Sequence, residues 1–155
     1  MIRFFKKVFL LLVLTVLVPA GVVFSGEVIQ TQESVAWEGI EADLTGIRIS
    51  KNIVTIKLKL KNTGSEEQGV KIPYNACFIM DETNQKKYYA LKDSDGVYIA
   101  GPMADEQGGG RFWFGVQAGK ARGLWIKFPE PTDRPETITI SLEGIFPFEE
   151  IALKK

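Results

Sequence analysis

Residues 54–61 alternate without exception between apolar and polar side chains. The apolar positions hold Val54, Ile56, Leu58 and Leu60, and the positions between them hold Thr55, Lys57, Lys59 and Lys61. A β-strand directs successive side chains to opposite faces of a sheet, whereas a helix would spread the lysines around its circumference. The pattern therefore predicts a strand with one buried face and one solvated face. Ile47 and Ile49 precede it across Ser50-Lys51-Asn52, which predicts a hairpin turn.

Short strand patterns separated by turn sequences recur along the rest of the chain, without a convincing amphipathic helix. The further predicted strands are 70–72, 76–80, 87–91, 97–99, 111–116, 124–128, 137–142 and 150–153. This pattern indicates an all-β fold. We predict a single immunoglobulin-like antiparallel β-sandwich of roughly seven to nine strands over residues 40–155, after a polar lead-in at 26–39. The chain has one cysteine and therefore lacks the paired cysteines of antibody domains.

Residues 1–25 have the three parts of a secretory signal peptide. Met1–Lys7 is basic, residues 8–18 are largely apolar, and small residues follow up to Ser25. That order predicts cleavage after Ser25 or Ala20 and an exported protein, periplasmic or extracellular. The alternative is an uncleaved membrane anchor, since the apolar stretch approaches the length that spans a bilayer. This segment is the only part expected to contact a membrane, and the lack of a cysteine directly after it excludes a lipoprotein.

The sequence contains no histidine, which excludes several common kinds of active site. Ser-His-Asp catalysis, Cys-His catalysis and histidine-ligated metal sites all need the imidazole. Glu149 and Glu150 are adjacent, and neighbouring strand residues point to opposite faces, so these two acids are poorly placed to act together. Cys77 lies in an apolar run and is predicted to be a buried, inert thiol. We expect no enzymatic activity and no resident cofactor.

The overall charge argues against nucleic acid as a partner. The chain holds 19 Lys and Arg against 19 Asp and Glu. Residues 1–25 carry three of the positive charges and none of the negative ones, which leaves the exported part with a net charge of −3. A mildly acidic domain has no electrostatic reason to bind DNA or RNA.

Four aromatic residues are the candidate ligand-binding side chains: Trp113, Trp125, Tyr89 and Tyr98. Alternation along residues 111–116 would turn Trp113 to one face and Phe112 with Phe114 to the other. Exposed rings could stack on a sugar or contact a partner protein. Core filling is the commoner role of such residues in small sandwiches, and the sequence leaves both roles open.

Asp93-Ser94-Asp95-Gly96 raises the question of a calcium site. Alternating carboxylates and a glycine open the loop of calcium-binding EF-hands, but Ala104 stands where that loop needs a glutamate. Asp105 and Glu106, in the glycine-rich stretch 101–110, could complete an irregular oxygen cage instead. A hairpin turn explains the same residues without an ion. The sequence favours the turn, with calcium held by Asp93 and Asp95 as the alternative.

Three stretches, Tyr88–Asp93, Trp125–Pro131 and Gly144–Ile151, resemble a known kind of domain. It is an uncharacterised β-sandwich domain of exported bacterial envelope proteins, sometimes found ahead of a peptidoglycan-binding OmpA-like domain. The likeness covers most of residues 40–153 and implies a fold and a compartment, but no catalytic residue. These 155 residues include no OmpA-like sequence, so peptidoglycan binding is not carried over.

Together these observations predict an exported, non-catalytic β-sandwich that works as a binding or interaction module in a bacterial cell envelope. The expected partner is another envelope protein or a cell-wall component. The alternative function is that of a carbohydrate- or calcium-binding module.

Overall fold

The computed structural model describes residues 26–104 and 110–153. In these two ranges there is no α-helix, and a short 3₁₀ helix covers Tyr74–Ala76. The strands in chain order are β1 (Gln30–Glu33), β2 (Ile40–Ser50), β3 (Ile53–Asn62), β4 (Gln68–Pro73), β5 (Phe78–Asp81), β6 (Lys86–Tyr89), β7 (Ala100–Gly101), β8 (Arg111–Val116), β9 (Ala121–Pro129), β10 (Thr137–Ser141) and β11 (Phe148–Ala152).

The strands form three sheets, and every pairing between them is antiparallel. The five-stranded sheet has the order β1-β2-β3-β9-β7, and the four-stranded sheet has the order β11-β10-β5-β6. The third sheet is a two-stranded ribbon of β4 and β8. Consecutive strands β8 and β9 therefore belong to different sheets.

The β2–β3 hairpin confirms the prediction made from the alternating residues. Leu58 is 2% exposed, whereas Lys57 and Lys59 on the other face are exposed. Lys51 and Asn52 connect the strands with φ angles of 51° and 60°. Two positive φ angles in a two-residue loop define a type I′ turn, whose twist matches that of the flanking strands.

Buried residues from all three sheets form one hydrophobic core. Leu58 and Phe128 come from the five-stranded sheet, Ile140 and Phe148 from the four-stranded sheet, and Phe112 from the ribbon. Antiparallel sheets that share a core in this way give a sandwich-like all-β fold. The all-β class predicted from the sequence is confirmed.

Eleven strands exceed the roughly seven to nine expected, because short edge strands add to the longer ones. β7 has two residues, and β1 lies inside the range assigned to the polar lead-in. The immunoglobulin-like arrangement stays a prediction. The predicted signal peptide lies outside the described residues, and none of the described segments forms a helix long and apolar enough to cross a membrane.

Cys77 is buried, as the apolar run around it predicted. Its Sγ donates a hydrogen bond of 3.5 Å to the carbonyl oxygen of Pro73. Burial disfavours the charged thiolate and raises the pKa of Cys77 to about 12. A thiol with so little thiolate near neutral pH is a poor nucleophile.

Candidate functional site

A cleft lies between β8 and β9. Its volume is about 580 Å³, within the usual size range of ligand sites. Its lining includes Glu67, Gly115, Gln117, Lys120, Arg122 and Gly123. The chain passes from the ribbon into the five-stranded sheet through the turn at 117–120. The cleft exists because β8 and β9 therefore do not pair with each other. We call this feature the β8–β9 cleft.

Arg122, on β9, makes two contacts with β8. Its Nε donates a hydrogen bond of 3.0 Å to the carbonyl oxygen of Gly115. Its guanidinium carbon lies 4.9 Å from the centre of the Phe114 ring, which is a cation–π distance. One side chain therefore ties β9 to β8 by a hydrogen bond and a ring contact.

Asn62, at the end of β3, fixes the turn that separates β8 from β9. Its backbone N–H donates to the carbonyl oxygen of Lys120, and its carbonyl oxygen accepts from the N–H of Gly119, each at 2.9 Å. Gly119 has a φ of +69°, which a glycine adopts without strain. The position of the cleft therefore depends on backbone contacts with β3 as well as on the turn itself.

The sequences of the two strands beside the cleft mirror each other: Trp113-Phe114-Gly115 on β8 and Gly123-Leu124-Trp125 on β9. Residues two apart on a strand share a face, so each tryptophan lies on the same side of its strand as a cleft-lining glycine. Trp113 is 56% exposed and Trp125 is 39% exposed. The structure thus places two of the four predicted aromatic residues on the two strands that flank the cleft, each two residues from a lining glycine.

Trp125 lies across the backbone of the adjacent strand β7. A Cβ added to Gly101 would lie only 2.8 Å from the indole Nε1, so the ring occupies the space that a side chain there would need. Gly101 is the register partner of Trp125 on one side, and Lys57 is its partner on the other. The indole is therefore supported by the sheet and has a lysine as its cross-strand neighbour.

Trp113 has a similar neighbour on the ribbon. Lys71 is its register partner on β4, and the Lys71 Nζ lies 5.3 Å from the centre of the indole ring. The next pair on this face toward the cleft is Gly69 and Gly115, and the pair on the other side of Trp113 is Pro73 and Arg111. The Glu67 carboxylate occupies the space over Gly115 that a Cβ would fill.

Lysines on the outer face of the five-stranded sheet extend from the cleft. Lys59 pairs with Gly123, Lys57 with Trp125, and Lys127 lies two residues beyond Trp125. Within the described ranges, none of these three has an acidic side chain within salt-bridge distance. This part of the face is therefore locally basic, although Asp43 pairs with Lys59 on β2 and residues 26–155 have a net charge of −3.

Lys61, at the end of the same row, differs from the other lysines. Its Nζ lies 3.1 Å from a carboxylate oxygen of Asp43 and 3.2 Å from one of Glu41. Hydrogen bonding to Asp43 first, and then to Glu41, raises the pKa of Lys61 because both carboxylates stabilise its charged form. Asp43 also accepts a hydrogen bond of 2.6 Å from Thr31, which helps hold β1 at the sheet edge. Lys61 thus has a structural role.

The other two predicted aromatic residues do not belong to β8 or β9. Tyr89, on β6, is 55% exposed and packs beside Phe78 at 5.7 Å between ring centres. Tyr98 is half-buried, 6.4 Å from the Tyr74 ring, with Lys92 over it at 4.6 Å. The predicted group of four therefore does not form one surface.

Core filling, the commoner role considered for the aromatic residues, is wrong for Trp113 and Trp125. Phe112 fills the core and is 0% exposed, while Trp113 next to it faces solvent. Strand alternation accounts for this difference. The same alternation separates Trp125 from the buried Leu124 and Ile126.

Asp93 and Asp95 lie in the predicted turn, between the segments around Leu91 and Ile99. Asp93 Oδ1 accepts hydrogen bonds from the backbone N–H groups of Asp95 and Val97, both at 2.9 Å. Such side-chain caps stabilise turns without an ion. In the described ranges no three acidic or cysteine side chains are grouped to hold a metal. Asp105 and Glu106 lie outside the described residues, and calcium binding stays untested.

Sequence reasoning missed most of the cleft. Glu67 and Lys71 come from the segment around β4, and only the pairing of β4 with β8 places them beside Trp113 and Gly115. The mirrored Trp-x-Gly and Gly-x-Trp spacing around a turn was a visible signal. It indicated that two exposed rings would be separated from the turn by positions without side chains.

The sequence matches no protein-family profile and no curated protein. Among solved structures, the chain is similar to one described as a functionally unknown protein from Listeria monocytogenes EGD-e. The sequence identity is 11%, the TM-score is 0.42, and the match covers 81% of this chain and 85% of that one. A similarity of this size supports no argument about function.

Proposed function

We propose that this chain is an exported, non-catalytic binding module of a bacterial cell envelope, with an immunoglobulin-like sandwich as its scaffold. Its binding surface is the β8–β9 cleft. The observation that carries the proposal is the pair of exposed tryptophans on the two strands that flank that cleft, 56% and 39% exposed. Large exposed aromatic side chains are enriched where proteins bind their partners.

Export is supported by residues 1–25, whose basic, apolar and small-residue parts follow the order of a signal peptide. Absence of catalysis is supported by the chemistry available in the cleft. Glu67, Lys120 and Arg122 are its ionisable lining residues, and the chain has no histidine to act as a base near neutral pH. N-terminal sequencing of protein from the exported fraction tests the first point. A start near Gly26 or Gly21 is expected, and retention of Met1 in a membrane fraction would establish an anchor instead.

Binding is tested by incubating the exported form with envelope material from its native source. The retained fraction is compared for the wild type, Trp113→Ala and Trp125→Ala. Tyr89→Ala is the control, because Tyr89 is as exposed as Trp113 but lies on β6, in the four-stranded sheet. Both tryptophan variants should lose retention while the Tyr89 variant keeps it. Equal retention of all three variants would contradict the assignment of the cleft.

A further inference from the structure

We propose that the β8–β9 cleft and the lysine row beside it bind a glycan chain that carries anionic groups, either carboxylate or phosphate. This inference rests on the proposed function and names the chemical class of its ligand. Three features carry it: two exposed indole rings on the strands that flank the cleft, lysines of one sheet face that form no salt bridge within the described ranges, and the polar lining of the cleft.

The indole rings suit the faces of sugar rings. Trp125 is held over Gly101 by the backbone of β7, so it presents a rigid surface at little entropic cost. An aromatic face is electron-rich and attracts the C–H groups on the face of a pyranose ring. The second indole, Trp113, lies on β8 two residues from the cleft-lining Gly115, and it is more exposed. A chain of sugar rings could contact both.

The positive charges of the lysines are the reason to expect an anionic ligand. Lys57 and Lys59 are two residues apart on β3, which places them roughly 6.6–6.8 Å apart along one face of the sheet. Lys127 continues the row on β9, and Lys71 stands beside Trp113. Asp43, the register partner of Lys59 on β2, is buried and forms a salt bridge with Lys61. The lysines can therefore attract a chain that bears repeated negative charges.

The lining of the cleft favours a hydroxylated ligand over an apolar peptide. Glu67, Gln117 and Lys120 offer hydrogen-bond acceptors and donors at its walls. Gly123 leaves open space in the lining, since a Cβ there would meet no atom within 4 Å, whereas the Glu67 carboxylate fills the space over Gly115. Sugar hydroxyls can pair with such groups, whereas a buried apolar anchor would leave them without partners.

The first experiment compares ligands that share one backbone. Dextran, carboxymethyl-dextran and phosphorylated dextran are titrated into the exported form, with calorimetry and tryptophan fluorescence as the readouts. The carboxymethylated or the phosphorylated polymer should bind at least about tenfold more tightly than dextran, and the difference should shrink as salt increases. The tighter of the two identifies the anion. Dextran that binds as well as both charged forms would overturn the role of the lysines.

Two other polyanions test whether binding needs the sugar rings or only the negative charges. Polyglutamate carries carboxylates without sugar rings, and oligothymidylate carries phosphates with stacking bases. Both should bind more weakly than the better charged dextran. Polyglutamate binding of equal strength would show ion exchange alone and overturn the proposal. Tighter binding of oligothymidylate would overturn it in favour of nucleic acid.

The site is tested by filling the cleft. Gly123→Gln adds a side chain where a Cβ has open space, so the fold should be kept and binding reduced by at least about tenfold. Thr83→Gln is the control, since Thr83 is exposed in the turn between β5 and β6 and does not line the cleft. A Lys57→Gln, Lys59→Gln double variant should bind more weakly and with less salt dependence. Unchanged binding by folded Gly123→Gln would overturn the site.

The outcomes also distinguish this inference from the proposed function. If envelope material is retained through Trp113 and Trp125 but no charged dextran binds, the binding module stands and the anionic glycan is wrong. If charged dextrans bind and the tryptophan variants lose nothing, the cleft is wrong as well.

Discussion

Asn62 donates a buried hydrogen bond of 2.8 Å from its side-chain Nδ2 to the carbonyl oxygen of Val116. The same Nδ2 donates to the carbonyl oxygen of Glu66 at 2.7 Å, and Oδ1 accepts from the N–H of Gly64 at 2.9 Å. Asn62 is 2% exposed, so these groups have little access to water. One amide therefore holds the end of β8, and with it the edge of the cleft.

Asn62→Ala should destabilise the protein by about 2–3 kcal/mol, because it leaves buried backbone groups without partners. Chemical denaturation measures the free energy of unfolding. Asn75→Ala is the control, since Asn75 is exposed, and it should change stability by less than about 0.5 kcal/mol. Equal losses in the two variants would contradict the structural role of Asn62.

The sequence was informative about the strands and much less about their partners. The alternation in Val54–Lys61 is a local signal, because burial on one face selects every second residue. The pairing of β4 with β8 has no such signal, since it depends on contacts between distant segments that form only in the folded chain. Short strands such as β7 were missed because two residues are too few to show a period.

Leu58→Ala should lower the free energy of unfolding by about 2–5 kcal/mol, the usual loss for a buried large-to-small change. Leu58 is 2% exposed and lies on the core face of β3. Lys59→Ala, one residue along on the solvent face, should cost less than about 0.5 kcal/mol. Denaturation curves of the two variants make the comparison. If both positions tolerated alanine equally, the assigned faces of β3 would be reversed or absent.

The buried thiol of Cys77 should lower the stability of the protein at alkaline pH. Burial raises its folded-state pKa from 9.0 to about 12, so the unfolded thiol loses its proton at lower pH than the folded one. Between these values the unfolded state binds fewer protons, and the free energy of unfolding therefore falls as pH rises. The fall should be shallower in Cys77→Ala, measured by denaturation across pH 8 to 11.

A thiol-reactive dye provides the second readout for Cys77. At pH 8 it should label native protein far more slowly than unfolded protein, because the folded thiol is buried and protonated. Native labelling as fast as that of the unfolded chain would show that the thiol is accessible.

Of the candidate site, the sequence predicted only the two tryptophans. Trp113 and Trp125 were identified as potential ligand contacts because exposed aromatic residues bind partners, but no local sequence pattern indicated that their two strands flank one cleft. That relation arises because β8 joins the ribbon and β9 joins the five-stranded sheet. Lys71 and Glu67 reach the site through the register of β4, which alternation alone does not fix.

The turn at Asp93 gives the last prediction, which separates a capped turn from a calcium loop. Asp93 Oδ1 accepts hydrogen bonds from two backbone N–H groups, whereas the Asp95 side chain accepts none within the described ranges. Asp93→Ala should therefore cost about 1 kcal/mol, equally in calcium and in chelator, and Asp95→Ala should cost less. Wild-type melting curves in calcium and in chelator should superimpose.

Calcium binding would give a different pattern in the same measurements. An ion held by Asp93 and Asp95 would stabilise the folded state by ~2.7 kcal/mol at a concentration 100 times its dissociation constant. The gain would vanish in an Asp93→Asn, Asp95→Asn double variant, because amides do not supply the ligand charge. A rise in melting temperature of several degrees with calcium, lost in that variant, would make this turn a metal site and contradict its assignment as a simple turn.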